Sequence, residues 1–437
     1  MSAHLSTSVE RVAASRQGSR LLWVPRVCFW LLLSATFSLP GRTGPESLGS
    51  LDAVALFKVG TRGLSLLMLT LALLALRNRG GHPTARLGFT TIGVFVVWAV
   101  VSCLWSPLPA FSIGQAMTLA TLFLLAVALA LAWRSVGDTS AAFAQLSLAF
   151  LTICTILLVV RLINPEASGL LRVSDADGDV GLFHPTMAGG TASLGLVLVV
   201  ACRLIWNWRW TRVLLVPALV VFPAVMFLAA SRTALVMAIA VLGITVLTQG
   251  NRRWLGALAL VGSFVGILYP LADPGLEAVQ RVVTLSADYA RRGESSDTLR
   301  SLTGRTALWT AIEDSFLEAP VFGHGYFVTS SAGRLDVWSG PANRSAHNVF
   351  LQVAVSTGLV GLVLFVTGLW RVIASACRRL GSTGEGRQMR MTAAVLGLWY
   401  LGWGMLSESF MGPLSPEAVL AFSLLGLMSG FRRPEAA

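Results

Sequence analysis

Apolar runs long enough to cross a lipid bilayer recur along most of the chain. A helix needs about 20 apolar residues to span about 30 Å of hydrocarbon. Backbone polar groups must be paired within such a segment, so each run is expected to be helical. The sequence therefore predicts an all-α polytopic membrane protein with about twelve transmembrane helices. The runs occupy residues 21–39, 53–76, 88–105, 113–133, 141–163, 186–206, 210–230, 232–248, 254–272, 347–370, 391–411 and 414–430.

The composition excludes a soluble globular protein. Hydrophobic residues make up 55% of the 437 residues, charged residues make up 12%, and the mean hydropathy is +0.72. Soluble domains normally carry about 25% charged residues. The first apolar run has no small-residue cleavage site, so we expect a retained helix rather than a signal peptide. The 5 cysteines show no spacing that indicates a disulfide or a metal site.

The distribution of Lys and Arg predicts the orientation in the membrane. More than half of the 33 basic residues fall in segments that are cytoplasmic if the N-terminus is inside, as the positive-inside rule requires. Both termini are then cytoplasmic. The predicted organisation is a cytoplasmic tail (1–20), transmembrane helices 1–9 (21–272), a long periplasmic loop (273–346), transmembrane helices 10–12 (347–430) and a second cytoplasmic tail (431–437).

The net charge of +12 follows from this topology and favours contact with anionic lipids of the inner leaflet. No basic cluster with interleaved aromatic residues indicates a nucleic-acid partner. The lipid bilayer is the partner that composition alone predicts.

Two arginines predicted on the outer side, where basic residues are few, are candidates for chemistry. Arg232 interrupts an otherwise apolar stretch, so we predict it at a tight outer turn. Burying it in lipid would cost about 2.5–3.5 kcal/mol, so it should face water, a partner or a ligand. Arg305 falls in the first turn of an amphipathic helix predicted over 301–316, where an anion would meet both a guanidinium and exposed backbone N–H groups. Both are candidate phosphate-binding groups; the alternatives are a snorkelling Arg232 and a solvated Arg305.

His347 closes the long loop immediately before the tenth apolar run. An unperturbed imidazole titrates at about pH 6.5, so it can accept a proton at neutral pH. Because His347 is predicted on the same side as the two arginines, it is a candidate general base. A polar surface residue is the alternative.

Several short motifs occur in a fixed order along the chain. They are Ser102-(x2)-Trp105-Ser106-Pro107, Gly181-Leu-Phe-His184-Pro185, Ser231-Arg232-Thr233, Gly304-Arg305-(x3)-Trp309, Pro320-Val-Phe-Gly323-His-Gly325, Ala346-His347-Asn348 and Gly358-Leu-Val-Gly361. Together with the twelve-helix layout, they resemble the O-antigen ligase and Wzy-type polymerase superfamily. The resemblance covers most of the chain and is strongest over 231–361.

The resemblance implies a metal-independent, inverting glycosyltransferase of the membrane-embedded GT-C type, which works at the outer face of the bacterial inner membrane. Its donor would be an oligosaccharide linked to undecaprenyl pyrophosphate, and its acceptor a glycan or lipid. By the same resemblance, Arg232 and Arg305 would bind the pyrophosphate and His347 would deprotonate the acceptor hydroxyl. No metal or other cofactor is expected.

Five further residues are named as supporting candidates. Lys58 and Arg62 lie four apart on one face of the second helix, where they either add positive potential to an outer cavity or snorkel. Asn348 follows the candidate base, and Arg172 and His184 lie in an outer loop. At His184 the chain departs from the family, whose members often have Pro-Asn there, so the role of that loop stays open.

Alternatives remain within and beyond the enzyme class. A polymerase uses a second lipid-linked repeat unit as acceptor, whereas an O-antigen ligase uses lipid A core; the stretch 104–109 looks more like exopolysaccharide polymerases. A flippase and a chain-length regulator would be the partner proteins. A glycolipid transporter would need charged or broken helices at mid-membrane, whereas polar residues here concentrate at the outer face. A structural or regulatory component would tolerate loss of Arg232 and His347.

Overall fold

The described part of the chain consists of α-helices and their connections. The computed structural model describes residues 23–37, 53–77, 86–136, 138–164, 185–229, 231–248, 305–327, 346–379, 384–407, 411 and 414–430, and within these there is no strand. The helices are α1 (Trp23–Ser34), α2 (Ala53–Arg77), α3 (Arg86–Ser102), α4 (Pro109–Val136), α5 (Thr139–Ile163), α6 (Pro185–Ile205), α7 (Arg209–Leu228), α8 (Arg232–Thr248), α9 (Arg305–Glu318), α10 (Val349–Arg379), α11 (Gly384–Gly404) and α12 (Pro416–Gly430). A 3-10 turn, Cys103–Trp105, follows α3.

Every predicted apolar run inside the described residues overlaps a helix, and the run 254–272 lies outside them. Among the described helices, 6 are long and apolar enough to cross a membrane. These segments are Leu56–Ala75, Pro109–Trp133, Thr139–Ile163, Pro185–Ile205, Arg209–Leu228 and Val349–Ala374. Helices α1, α3, α8 and α12 are apolar but shorter. The all-helical membrane fold is confirmed, whereas the number of spans stays a prediction.

Helix α6 forms the centre of the bundle. Every residue from Ala188 to Val199 is buried, and the helix packs against α5, α7, α8, α11 and α12. Small residues let these neighbours approach closely, as is common between helices in membranes. At Gly195, for example, a Cβ atom would lie 2.7 Å from the ring of Phe222 on α7.

Contacts between helix ends show that α6 and α8 begin at the same end of the bundle and that α11 runs in the opposite direction. At one end, the residue before α8, Ser231, packs on Gly189 in the first turns of α6. We call this the site end of the bundle. At the opposite end, the Trp206 indole donates to the Thr392 hydroxyl at 2.8 Å, which joins the end of α6 to the first half of α11.

Helix α10 is broken near the site end. The sequence predicts one continuous helix over 347–370, but the structure has a non-helical residue, Gly358, with φ 67° and ψ −170°. The break falls in the first third of α10. It arises because the backbone of residues 320–325 packs against it, as described below.

The amphipathic helix predicted over 301–316 is present as α9, Arg305–Glu318. It ends two residues before Pro320, and proline cannot continue a helix. Its apolar side chains pack against the bundle: Ile312 is buried and Trp309 is half-buried, both in a small cluster with residues of α10. The placement of α9 along the membrane surface stays a prediction.

Candidate active site

Helix α9 connects the candidate arginine Arg305 with the candidate base His347. The backbone of Arg305 forms the first residue of α9. One turn later, the Trp309 indole N–H donates to the carbonyl oxygen of Ala346 at 2.9 Å. The buried side chain of Ile312 packs against Ala346 as well. Trp309, one turn after Arg305, is therefore bonded to the residue directly before His347.

The backbone around His347 is held by hydrogen bonds. His347 has φ 48°, in the left-handed region that non-glycine residues seldom adopt. The N–H of Ala346 donates to Oε1 of the buried Gln352 at 3.0 Å, and the Gln352 amide donates to the Ser356 hydroxyl at 3.1 Å. Gln352 thus fixes the loop that presents the half-buried imidazole. The sequence analysis did not select it, although a buried amide inside an apolar run is a visible signal.

Asn348, a predicted supporting residue, is the N-cap of α10. Its Oδ1 accepts hydrogen bonds from the backbone N–H groups of Phe350 and Leu351 at 2.9 and 3.2 Å. This is the usual geometry of a helix N-cap. Asn348 therefore supports the site by starting the helix that follows His347.

Two backbone segments pair where α10 is broken. We call this pairing, between residues 320–325 and 355–360, the seam. Four hydrogen bonds form it: His324 N–H to Val355 O at 3.0 Å, Gly325 N–H to Ser356 O at 2.9 Å, Leu359 N–H to Pro320 O at 2.8 Å and Val360 N–H to Val321 O at 3.3 Å. Glycines at 323 and 358, both with positive φ, allow the close approach. Because α10 is broken there, backbone N–H and C=O groups of residues 355–360 bond to the loop that follows α9 instead of to their own helix.

The upstream tryptophan motif reaches the same place. The Trp105 indole N–H donates to the carbonyl oxygen of Gly323 at 3.1 Å. The next residue, Ser106, packs against Gly325, where a Cβ atom would lie 2.6 Å from the serine Cβ. The Trp98 indole donates to the carbonyl of Thr357 at 3.0 Å. Motifs separated by more than 200 residues in the sequence thus meet at the seam.

Arg232 is the first residue of α8 and is half-buried. The connection before it is short, as predicted, since α7 ends at Leu228; its place on the outer side of the membrane stays a prediction. Ser231 packs directly on Gly189 of α6. Helix α8 also packs against α11, where Gly402 contacts Met237. Arg232 therefore lies at the site end, at the junction of α6, α8 and α11.

Tyr326 joins the seam to the helices on the other side of the site end. It is buried, and its hydroxyl donates to the carbonyl oxygen of Met411 at 3.1 Å. Met411 lies between α11 and α12. Burial raises the pKa of the Tyr326 phenol, so this group stays a protonated donor at neutral pH.

Glu417 is a buried carboxylate that the sequence analysis did not select. It is the second residue of α12, it is 0% exposed, and both carboxylate oxygens are buried. A Cβ atom on Gly190 would lie 2.6 Å from Oε1 of Glu417, so glycine makes room for the carboxylate. The preceding residue, Gly189, contacts Ser231 just before Arg232. Adjacent residues of α6 thus contact Glu417 and the start of α8.

Two of the remaining supporting candidates, Lys58 and Arg62, are described, and they are not brought to this junction. Lys58 and Arg62 are half-buried on α2, which packs mainly against α1 and α4. Arg172 and His184 lie outside the described residues.

The helices and the seam define a polytopic, all-helical membrane protein with a candidate site at one end of its bundle. Residues 217–366 match the family model Wzy_C, described as O-antigen ligase. The predicted resemblance to the O-antigen ligase and Wzy-type family is thereby confirmed over this segment. It spans α7 to α10 and contains the seam together with Arg232, Arg305 and His347. No curated protein matches the chain.

Proposed function

We propose that this protein is a membrane glycosyltransferase that moves an oligosaccharide from undecaprenyl pyrophosphate to an acceptor hydroxyl. Within this class of enzyme, we propose a polymerase of O-antigen or exopolysaccharide repeat units. One observation carries the proposal: the three residues selected for their chemistry, Arg232, Arg305 and His347, all lie in the segment that matches the O-antigen ligase family. The family description also supports a second candidate, a ligase that attaches the glycan to lipid A core.

The two arginines would bind the leaving group. During transfer, the bond between the anomeric carbon and the pyrophosphate oxygen breaks, and the electron pair leaves with the pyrophosphate. Negative charge therefore grows on that group in the transition state. Arg232 and Arg305 would interact more strongly with the pyrophosphate in the transition state than in the bound donor, and this difference lowers the barrier. Guanidinium groups match phosphate oxygens bidentately and stay charged at any accessible pH, so no metal is required.

His347 would accept the proton of the acceptor hydroxyl. A new bond forms between the acceptor oxygen and the anomeric carbon on the face opposite the pyrophosphate, so the configuration inverts. A neutral imidazole nitrogen takes the proton as this bond forms. The hydrogen bonds that Ala346 makes with Gln352 and Trp309 support this role, because they fix the backbone that carries the imidazole.

The proposed topology places the site end in the periplasm. Twelve transmembrane helices would cross the bacterial inner membrane with both termini in the cytoplasm, as the basic residues predict. ATP and nucleotide sugars are cytoplasmic, so a reaction in the periplasm needs a donor that is activated without a nucleotide. A lipid pyrophosphate already carries its leaving group. A flippase would deliver this donor, and a chain-length regulator would act on the product of a polymerase.

The test is glycan transfer by the purified protein in proteoliposomes. Arg232→Ala and Arg305→Ala should each lower kcat/KM by about 100- to 1000-fold, as expected for removing a group that stabilises developing charge. His347→Ala should lower it by about 100- to 10,000-fold, with partial recovery when imidazole is added. Arg212→Ala is the matched control, because Arg212 is exposed in the first turn of α7, at the opposite end.

The acceptor decides between the two candidates. A ladder of lengthening lipid-linked glycans from the donor alone identifies a polymerase. A single transfer that occurs only after lipid A core is added identifies a ligase. Full activity in the Arg232, Arg305 and His347 variants, at normal abundance in the membrane, would reject the enzyme mechanism altogether.

A further inference from the structure

The imidazole of His324 joins the end of α9 to the seam. A carbonyl oxygen can only accept a hydrogen bond, so Nε2 of His324 carries a proton and donates to the carbonyl oxygen of Ser315 at 2.7 Å. The backbone N–H of His324 donates to the carbonyl oxygen of Val355 at 3.0 Å, as part of the seam. His324 therefore bonds to α9 through its side chain and to α10 through its main chain.

The bond to Ser315 caps the C-terminus of α9. The last four carbonyl groups of an α-helix lack N–H partners within the helix, and Ser315 is the fourth residue from the end of α9. The N–H of Ala319, the usual partner of this carbonyl, donates to the carbonyl of Phe316 instead, at 3.2 Å. Ser315 is buried, so leaving its carbonyl without a donor would be costly. The imidazole supplies that donor.

Helix α9 is therefore held at two points. Near its start, Trp309 bonds to the residue directly before His347. Near its end, Ser315 bonds to His324. At 1.5 Å per residue, the two points lie about 9 Å apart along the helix. One anchor would let the helix pivot, whereas two anchors fix its direction and, with it, the place of the Arg305 backbone relative to that of His347.

We infer that His324 is a positioning residue, which sets the spacing between Arg305 and His347 by fixing the tilt of α9. This inference rests on the proposed function, because it adds to the roles proposed for those two residues. Arg305 lies four residues before Trp309, and Ser315 lies six residues after it. If the cap is lost and the end of α9 moves by about 1.5 Å, a pivot at Trp309 moves the backbone of Arg305 by about 1 Å. A misplacement of about 1 Å can lower a reaction rate by about 100-fold.

Two amide substitutions separate positioning from ring chemistry. In His324→Gln the amide nitrogen can take the place of Nε2 and donate to Ser315, whereas in His324→Asn the side chain is one methylene group too short. The φ of His324 is not positive, so both residues suit its backbone. In proteoliposomes, His324→Asn should lower kcat by about 10- to 100-fold and keep KM for the donor within about threefold. His324→Gln should keep kcat within about threefold of the wild type and leave the pH profile of transfer unchanged.

Double variants identify the group through which His324 acts. Added to Arg305→Ala, His324→Asn should lower kcat by no more than about twofold, because the guanidinium that it positions is already absent. Added to Arg232→Ala, it should lower kcat by the same factor as in the wild type, because Arg232 lies on α8, which this bond does not hold. Three results would each overturn the inference: His324→Gln as slow as His324→Asn, wild-type kcat in His324→Asn, or an equal effect of His324→Asn on both arginine variants.

Amide hydrogen exchange tests the anchor apart from the proposed function. The full-length protein in nanodiscs is compared with its variants by mass spectrometry. The control is Trp210→Phe, which loses a hydrogen bond to Ser140 at the opposite end. His324→Asn should raise the exchange rate of α9 peptides by about tenfold, whereas His324→Gln and Trp210→Phe should not. Exchange at the wild-type rate in His324→Asn would overturn the inference. No transfer by the wild type would instead reject the proposed function, whatever the exchange result.

Discussion

Gly358→Ala should loosen the seam and with it the candidate site. Gly358 has φ 67° and ψ −170°, a backbone conformation that is essentially reserved for glycine. Another residue there costs about 1–3 kcal/mol. A Cβ atom would also collide with the backbone of Val321 and Phe322. Because that contact is with main-chain atoms, no side-chain rotation can relieve it.

The size of the effect follows from what must move. Separating the two segments at Gly358 breaks the hydrogen bonds from Leu359 to Pro320 and from Val360 to Val321. Each is worth about 0.5–1.5 kcal/mol. Together with the backbone strain, the loss is about 2–6 kcal/mol. The loop that follows α9 would then no longer be held against α10.

Two measurements test this reasoning. The thermal unfolding midpoint of the detergent-solubilised variant should fall by about 2–7 °C for a chain of this length, and glycan transfer in proteoliposomes should fall with it. The control is Gly243→Ala, a substitution inside α8 with open space around it, which should be neutral or stabilise by up to about 1 kcal/mol. If Gly358→Ala unfolds at the wild-type temperature and keeps full activity, the seam does not support the site.

Three further substitutions probe single groups. Gln352→Leu removes the acceptor of the buried Ala346 N–H, which costs about 1–3 kcal/mol, and it should lower kcat. The control, Gln388→Leu, loses a hydrogen bond at the opposite end. It should lower thermal stability and keep kcat. Tyr326→Phe should cost about 1 kcal/mol at pH 8. Burial raises the pKa of the Tyr326 phenol above its unfolded value of about 10. Thermal unfolding at several pH values should therefore show the stability difference between wild type and variant unchanged below about pH 10 and smaller above it. A difference that becomes smaller on acidification would contradict the role of Tyr326 as a buried, protonated donor. Glu417→Gln should lower transfer several-fold by replacing the buried acidic group beside Gly190, close to the start of α8. Glu385→Gln, at an exposed first-turn position of α11, should not lower transfer.

The helices were predictable because each apolar run is set by local composition. The seam was not, although all its glycines stand in recognised motifs. Gly358 appears in the sequence as part of an ordinary apolar run, and only the approach of residues 320–325 explains why the helix breaks there. The positive φ of His347 is likewise imposed by bonds to its neighbours, which depend on residues of both α9 and α10.

Glu417 was missed for a different reason. An acidic residue in the first turn of a helix is common, because it complements the helix dipole. Its sequence context, Ser415-Pro416-Glu417 before an apolar run, is therefore that of an ordinary helix start. What sets it apart is burial, which comes from Gly190 on a helix more than 200 residues away.

The segment that matches the O-antigen ligase family does not contain the whole framework of the candidate site. Residues 217–366 contain both backbone segments of the seam. The seam also depends on Trp105 and Ser106, which contact its glycines from the turn after α3. On the other side, Tyr326 bonds to Met411, beyond the end of the match. The elements outside the match therefore help to position the candidate residues that lie within it. Sequence differences outside the matched motifs can therefore change the geometry of the framework that holds the seam.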